Sequence, residues 1–394
     1  MIPSLRLAFN SSWSLTKHAR FEALLADRFG EPPPFRLSET PCFLPKSLVD
    51  SAAQAGRELV HQLIGNADYL AASDRAIPEK YRPPGYAPVP LFVQADFGLD
   101  EEGNLKLVEI QGFPSLYGYQ PVLADAYREA YELNENLASL PDGLSGDMYK
   151  WLLKEAIVDK HNAENTVLLE IDPHNQKTRH AFTATQDLLG ITIVDARAVV
   201  KQGNKLFYTR SGKLVPIDRI YNRVIADELE RKQIELPFKF TDDLNVTWAG
   251  HPNWFYKLSK FSLPYLHHPT APESFFLSDS PAALDLSKLV LKPLYSFAGS
   301  GVIIGPTEED IAGIPTEHRA DYLLQQRVNF TPVIQTPEGP TKIEIRVMYI
   351  WLNELKPVNL IIRMGRGSQM GVDHNKNMGW VGASAAFIDS GENT

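Results

Sequence analysis

Lys292 closes an apolar run, Leu289-Val290-Leu291. A loop of small residues follows, Ser296-Phe297-Ala298-Gly299-Ser300-Gly301, and then a second apolar run, Val302-Ile303-Ile304. The pattern reads as strand, turn, strand. Glycines at two alternate positions let a backbone approach a ligand closely and aim N–H groups at it. A lysine on the strand just before adds a cation, and backbone donors beside a lysine suit a polyphosphate. A plain β-hairpin with an exposed lysine is the competing account. The segment is not GxxxxGK[ST] and no helix start follows it, which disfavours a P-loop or a Rossmann nucleotide site.

A second chemical stretch lies far upstream, from Leu91 to Gln111. Two apolar strands flank the acidic turn Asp100-Glu101-Glu102-Gly103-Asn104, which is good hairpin chemistry. Asp96 sits in the first strand; Glu109 and Gln111 sit in the second, two apart and so on one face. Two carboxylates and an amide oxygen are hard ligands, suited to a Mg²⁺ ion that also holds phosphate oxygens. A solvated polar face is the alternative. Against it, Glu109 lies between Val108 and Ile110, and a carboxylate inside an apolar run is less often idle than one in a charged turn.

Asp96 and Glu109-x-Gln111, followed by Pro114, Ser115 and Tyr117, resemble the metal-binding hairpin of ATP-grasp ligases. Lys292 with the Ser296–Gly301 loop resembles the phosphate-covering loop of the same fold. The acidic hairpin precedes the lysine and loop, an order similar to the circularly permuted branch that includes glutathione synthetase-like and, closest here, glutathionylspermidine synthetase-like proteins. The resemblance runs over roughly residues 90–380 as separate motifs. Gln111 stands where the family has asparagine, and Gln94 where it has arginine; a glutamine does not replace a guanidinium's charge.

The resemblance implies an α/β (α+β) fold, ATP-grasp-like, with a Rossmann-like substrate lobe and circularly permuted motif order. It implies a carboxylate–amine ligase that uses ATP and Mg²⁺, passes through an acyl phosphate and releases ADP and phosphate, with a small-molecule or peptide acid and an amine or polyamine as substrates. Asp96, Glu109 and Gln111 would hold Mg²⁺. Lys257, with Lys260 in reserve, and Lys292 would neutralise phosphates under a lid of Ser296, Phe297, Ala298, Gly299, Ser300 and Gly301. Gln325 and Gln326 would meet adenine, and Arg346 would act with Lys292 on the transferred phosphoryl group. Ser115, Arg223, Arg363 and Arg366 are the substrate candidates, and Asn375 or Asn377 would line the same cleft. A non-catalytic relative that binds nucleotide or peptide is the alternative, kept open by Gln94 and Gln111.

Three segments must position these groups. Residues 1–145 carry helices at 14–29, 46–72 and 120–138 and the acidic hairpin. Residues 146–250 alternate helix 147–160, strand 165–172, helix 176–189 and strand 191–194, as a small parallel sheet does; residues 207–208 and 216–221 extend that sheet. This segment has no phosphate-binding glycine fingerprint. Residues 251–394 carry Lys292, the strand Tyr322–Val328 and the alternating run Thr341–Ile350, with Lys342, Glu344 and Arg346 on one face. The polar stretch from Arg363 to Gln369 sets two arginines beside small residues and reads as an anion site for phosphate or a carboxylate, with a mobile polar loop as the alternative.

The chain has 394 residues, 44% of them hydrophobic, and a net charge of −9. That balance fits a globular chain of two or three lobes and disfavours nonspecific nucleic-acid binding. The single cysteine, Cys42, excludes an intramolecular disulfide framework. No apolar run approaches the length of a membrane span or signal peptide, which predicts a cytoplasmic protein without a membrane partner.

Overall fold

The structure is a computed structural model and describes residues 1–281, 284–296, 300–375 and 377–391. It is a mixed α/β molecule, with five sheets among the described residues. Its centre is a five-stranded antiparallel sheet in the order β17-β16-β15-β2-β3: β2 (Phe92–Leu99), β3 (Leu105–Gln111), β15 (Lys342–Trp351), β16 (Leu355–Gly365) and β17 (Gly382–Ser384). The acidic hairpin and the late alternating run are therefore neighbours in one sheet, although they come from the first and last segments of the chain.

Period-two alternation sorts this sheet's side chains. Val93, Ala95 and Phe97 pack beneath the helix Lys46–Ile64 in one core cluster with Ile343, Ile345 and Val347. Gln94 and Asp96 are thrown to the other side. The helix sits close because Gly56 has no side chain: a Cβ there would lie 2.0 Å from Tyr349 Oη. The sequence predicts one helix over 46–72, but the chain breaks at Gly65-Asn66. Asn66 Oδ1 accepts from Tyr69 N–H at 3.0 Å and caps a separate helix, Ala67–Arg75.

The β2–β3 turn closes through Asp100, whose Oδ1 accepts from the N–H groups of Asn104 (2.8 Å) and Glu102 (3.1 Å), with Gly103 at φ 80°. The register then slips by one residue, from Asp96↔Glu109 to Phe97↔Leu107. Val108 is the extra residue of this bulge. The slip keeps Glu109 directly opposite Asp96.

The middle segment is a four-stranded parallel sheet in the order β10-β9-β4-β5: β4 (Thr166–Glu170), β5 (Thr192–Asp195), β9 (Arg219–Asn222) and β10 (Thr247–Trp248). The helix Arg179–Leu189 joins β4 to β5 and ends at Gly190, φ 74°. Residues 207–208 do not extend this sheet. They belong to a separate antiparallel meander of β6 (Val200–Gln202), β7 (Lys205–Arg210) and β8 (Lys213–Ile217). Alternating short runs with tight turns fit either arrangement, and local sequence does not choose between them.

A second four-stranded antiparallel sheet, β11-β14-β12-β13, comprises β11 (Ser274–Phe276), β12 (Leu289–Pro293), β13 (Ile303–Ile304) and β14 (Tyr322–Gln326). A parallel pair, β1 (Cys42–Pro45) and β18 (Ala386–Asp389), ties the ends of the chain together. Among the described residues, no helix is long and apolar enough to cross a membrane.

Candidate functional site

Three sheets converge on one cavity of about 1140 Å³. The five-stranded sheet contributes Asp96, Glu109, Gln111, Glu344, Arg346 and Arg363. The β11–β14 sheet contributes Lys292, Gln325 and Gln326. The carboxyl ends of β4 and β9 contribute Glu170 and Arg223. Among the described residues, ten lysines and arginines line it against seven aspartates and glutamates, a local positive excess in a chain of net charge −9. That excess favours an anionic ligand.

On the five-stranded sheet, Glu109, Asp96 and Arg346 stand in one row across three strands, through the pairs Asp96↔Glu109 and Arg346↔Asp96. Two carboxylates directly opposite one another repel, and arginines resolve the conflict. Arg346 Nε and Nη2 donate to Asp96 Oδ1 (2.5 Å) and Oδ2 (2.6 Å), and Nη2 lies 3.3 Å from Glu109 Oε1. Its Nη1 donates to Gln94 Oε1 at 3.1 Å. Gln111, with its amide assigned from the hydrogen-bond network, accepts from Arg346 Nη2 at 2.8 Å and Nη1 at 3.1 Å.

A second guanidinium, Arg363, arrives from β16 and pairs with both Asp96 and Glu344. Arg363 lies on a strand, not in a polar loop. Burial alone would raise the Asp96 carboxyl, but Arg346 and Arg363 outweigh it and hold it low. Glu344 goes the other way, pushed up by burial against the pull of Arg363.

Lys292 is buried on β12. Its Nζ donates to Gln325 Oε1 at 2.5 Å and to the Val108 carbonyl, the extra residue of the bulge, at 3.0 Å. Burial lowers its pKa to about 8, against the opposing charge of Glu109. Lys260 Nζ donates to the Ser296 carbonyl at 2.6 Å and lies 3.9 Å from Glu109 Oε2. Ser115 lines the cavity, and its carbonyl accepts from Gln94 Nε2 at 2.7 Å.

Several expected residues stand elsewhere. Lys257 ends the helix Asn253–Lys257; its Nζ donates to Asp74 Oδ1 at 2.7 Å and lies 4.9 Å over the Trp254 ring. The chain breaks after it, and the reserve candidate Lys260 reaches the cavity instead. Arg366 braces loops away from the cavity, donating to Gly379 O (2.8 Å), Thr336 Oγ1 (2.9 Å) and Gly339 O (3.3 Å). Asn375 is buried and shapes its own loop, accepting from the N–H groups of Arg366 and Gly367. The N–H groups of Gln326 and Arg327 are already given to Glu273 O and Lys288 O, both at 2.8 Å, so a nucleobase edge there would meet other groups. Phe297, Ala298 and Gly299 lie outside the described residues. Ser300 is exposed in a turn, and Gly301 has φ 72°, where a Cβ would lie 2.8 Å from Pro293 Cγ.

The donor set does not fit a divalent ion held by the protein alone. Both oxygens of Asp96 accept from guanidinium groups, and Gln111 faces Arg346, which leaves Glu109, of the three expected ligands, with an open side. Among the described residues, no group of three or more His, Cys, Asp or Glu is placed to hold a metal. The three expected Mg²⁺ ligands all contact Arg346, and Asp96 also holds Arg363. Sequence reasoning also passed over Glu170, although it sits between Leu169 and Ile171 and so carries the same signal that marked Glu109: a carboxylate inside an apolar run.

Compared with known proteins, the chain matches no family model and no curated protein.

Proposed function

We propose that the cavity binds a nucleoside triphosphate and that the protein is an ATP-grasp-type ligase of the circularly permuted kind, joining a carboxylate to an amine with release of ADP and phosphate. One observation carries this reading. The sheet bearing Lys292 and the sheet bearing Glu109, Arg346 and Arg363 border one large, cation-rich cavity, so the two motifs that resemble the family meet although they are far apart in sequence. Lys260 and Lys292 supply the charge that neutralises phosphate oxygens, and burial around them raises the worth of each contact. Asp96 acts by fixing Arg346 and Arg363. No step is assigned to a metal ion held by the protein itself.

The test is release of ADP from Mg-ATP in the presence of pooled carboxylic acids, amino acids, peptides and polyamines. Glu109→Ala should abolish that release while leaving the fold intact; activity within a few-fold of wild type would remove Glu109 from the site.

The locked state of Asp96 favours a second reading, a non-catalytic nucleotide binder. With both oxygens engaged by arginine, the hairpin lacks a free carboxylate pair. ATP binding without ADP release from any pool decides for the binder.

A further inference from the structure

We propose that the end of the cavity formed by β4 and β9 is a subsite for an organic acid, with Arg223 taking its carboxylate and an apolar wall taking its carbon skeleton. This deepens the ligase reading by naming the acid to be joined.

The position comes from topology. β5 lies on one side of β4 and β9 on the other, so successive connections leave β4 in opposite directions and a crevice opens beyond the carboxyl ends of β4 and β9. Glu170 is the last residue of β4. Arg223 follows the last residue of β9, and its N–H donates to Leu169 O at 2.8 Å. Both line the cavity.

Arg223 is a buried arginine that borders the cavity. It is only 6% exposed, its Nη1 is buried, and that atom has no hydrogen-bond partner among the described residues. A buried guanidinium left this way is costly unless something else completes it. Its neighbour Glu170 does not. No ion pair forms between them, and burial pushes Glu170 up to about 8, so it stays largely protonated at neutral pH. The guanidinium is thus left open to a counter-charge supplied by a ligand in the cavity.

Geometry selects the ligand. The Phe113 ring covers the guanidinium at 4.4 Å and Phe182 lies 5.7 Å from it, so binding is left to the in-plane N–H bonds. That fork matches the edge of a planar carboxylate. A phosphate dianion would bring more charge than one buried arginine balances, and a polyamine would be repelled. Phe113, Phe255 and Ile225 line the same region, with Phe113 and Phe255 ring centroids 5.6 Å apart. They suit an acid with an apolar body.

The test is calorimetric titration of the full chain, without nucleotide, with benzoate, hexanoate, acetate, inorganic phosphate and putrescine. Benzoate or hexanoate should bind at least about tenfold more tightly than acetate, as burial of a few methylene equivalents dictates, and any binding of phosphate or putrescine elsewhere in the cavity should be the same in Arg223→Met as in the wild type. Arg223→Met should lose at least about tenfold of that affinity and raise the melting temperature, because it removes an unpaired buried charge. A purely structural arginine would lower it. Arg223→Lys keeps the charge without the fork; it should weaken benzoate binding, and it covers a methionine variant that fails to fold. Wild-type affinity in either variant overturns the proposal. So does a wild-type protein that binds none of the three acids, or phosphate or putrescine binding that is lost in Arg223→Met. Acid binding without ATP binding leaves this inference standing and removes the ligase reading; ATP binding alone does the reverse.

Discussion

Buried arginines occur in two opposite settings around this cavity. On the five-stranded sheet, Arg346 and Arg363 are matched inside the protein by Asp96, Glu344, Glu109 and two glutamine side chains. At the end of the parallel sheet, Arg223 has aromatic rings beside it and no hydrogen-bonded acid. A charge-paired network holds its own geometry, so damage to it is read as lost stability. An unsatisfied group weakens the empty protein and is completed by a ligand, so its removal is read as lost affinity. Functional residues are often of this second kind, held at some expense of stability.

Asp96→Ala is the sharpest blow to the matched side. It leaves two buried guanidinium groups without their carboxylate and should destabilise the fold by about 3–5 kcal/mol in urea unfolding. A loss under about 1 kcal/mol would erase the contrast, since such a value belongs to an exposed pair.

The unmatched side should show itself in pH. Glu170 in the fold keeps its proton up to about 8, whereas in the unfolded chain it releases it near 4.5. Its contribution is present in full below the unfolded value and is lost as pH rises through the folded one. Stability should thus fall by up to about 5 kcal/mol between those limits, and Glu170→Gln should flatten the slope. An unchanged slope in the variant assigns the effect to another group.

Lys292→Met should weaken ATP binding by at least about tenfold, or ~1.4 kcal/mol, while the melting temperature holds or rises. Unchanged ATP affinity would leave Lys292 a structural residue. Mg²⁺ titrated alone should leave the melting temperature unchanged; a clear rise would mean that the arginines yield Asp96 to the ion. The smallest effect is expected from Gln111→Leu, which removes an acceptor from Arg346 and should lower stability by about 1 kcal/mol.

Local pattern made much of this legible. The Asp100 turn, the alternation that puts Glu344 and Arg346 on one face, and the β4–helix–β5 unit all follow from spacing within about a dozen residues. What spacing does not carry is the partner. Nothing near Asp96 announces that residues from two later strands will occupy its oxygens, because a sheet brings them together over a long sequence gap. Lys257 and Lys260 illustrate a finer failure. Three residues apart on one continuous helix they would share a face, but the break after Lys257 sends them to different sides. The glycines just after Arg363 resemble a loop, but the strand persists through Gly365 and carries Arg363 into the cavity.

The long gap has a consequence for how the molecule is made. Arg346 meets Asp96 across 250 residues of chain. During synthesis at roughly 5–20 residues per second, the β2–β3 hairpin waits on the order of tens of seconds for its partner strand. Until then β2 is an apolar strand with one open edge and a lone buried-type acid, a combination prone to wrong pairing. Loop closure of this length also slows folding from denaturant. The finished sheet that confers the charge network is thus also the step at which nascent chains are most exposed to aggregation, and chaperone dependence should concentrate there.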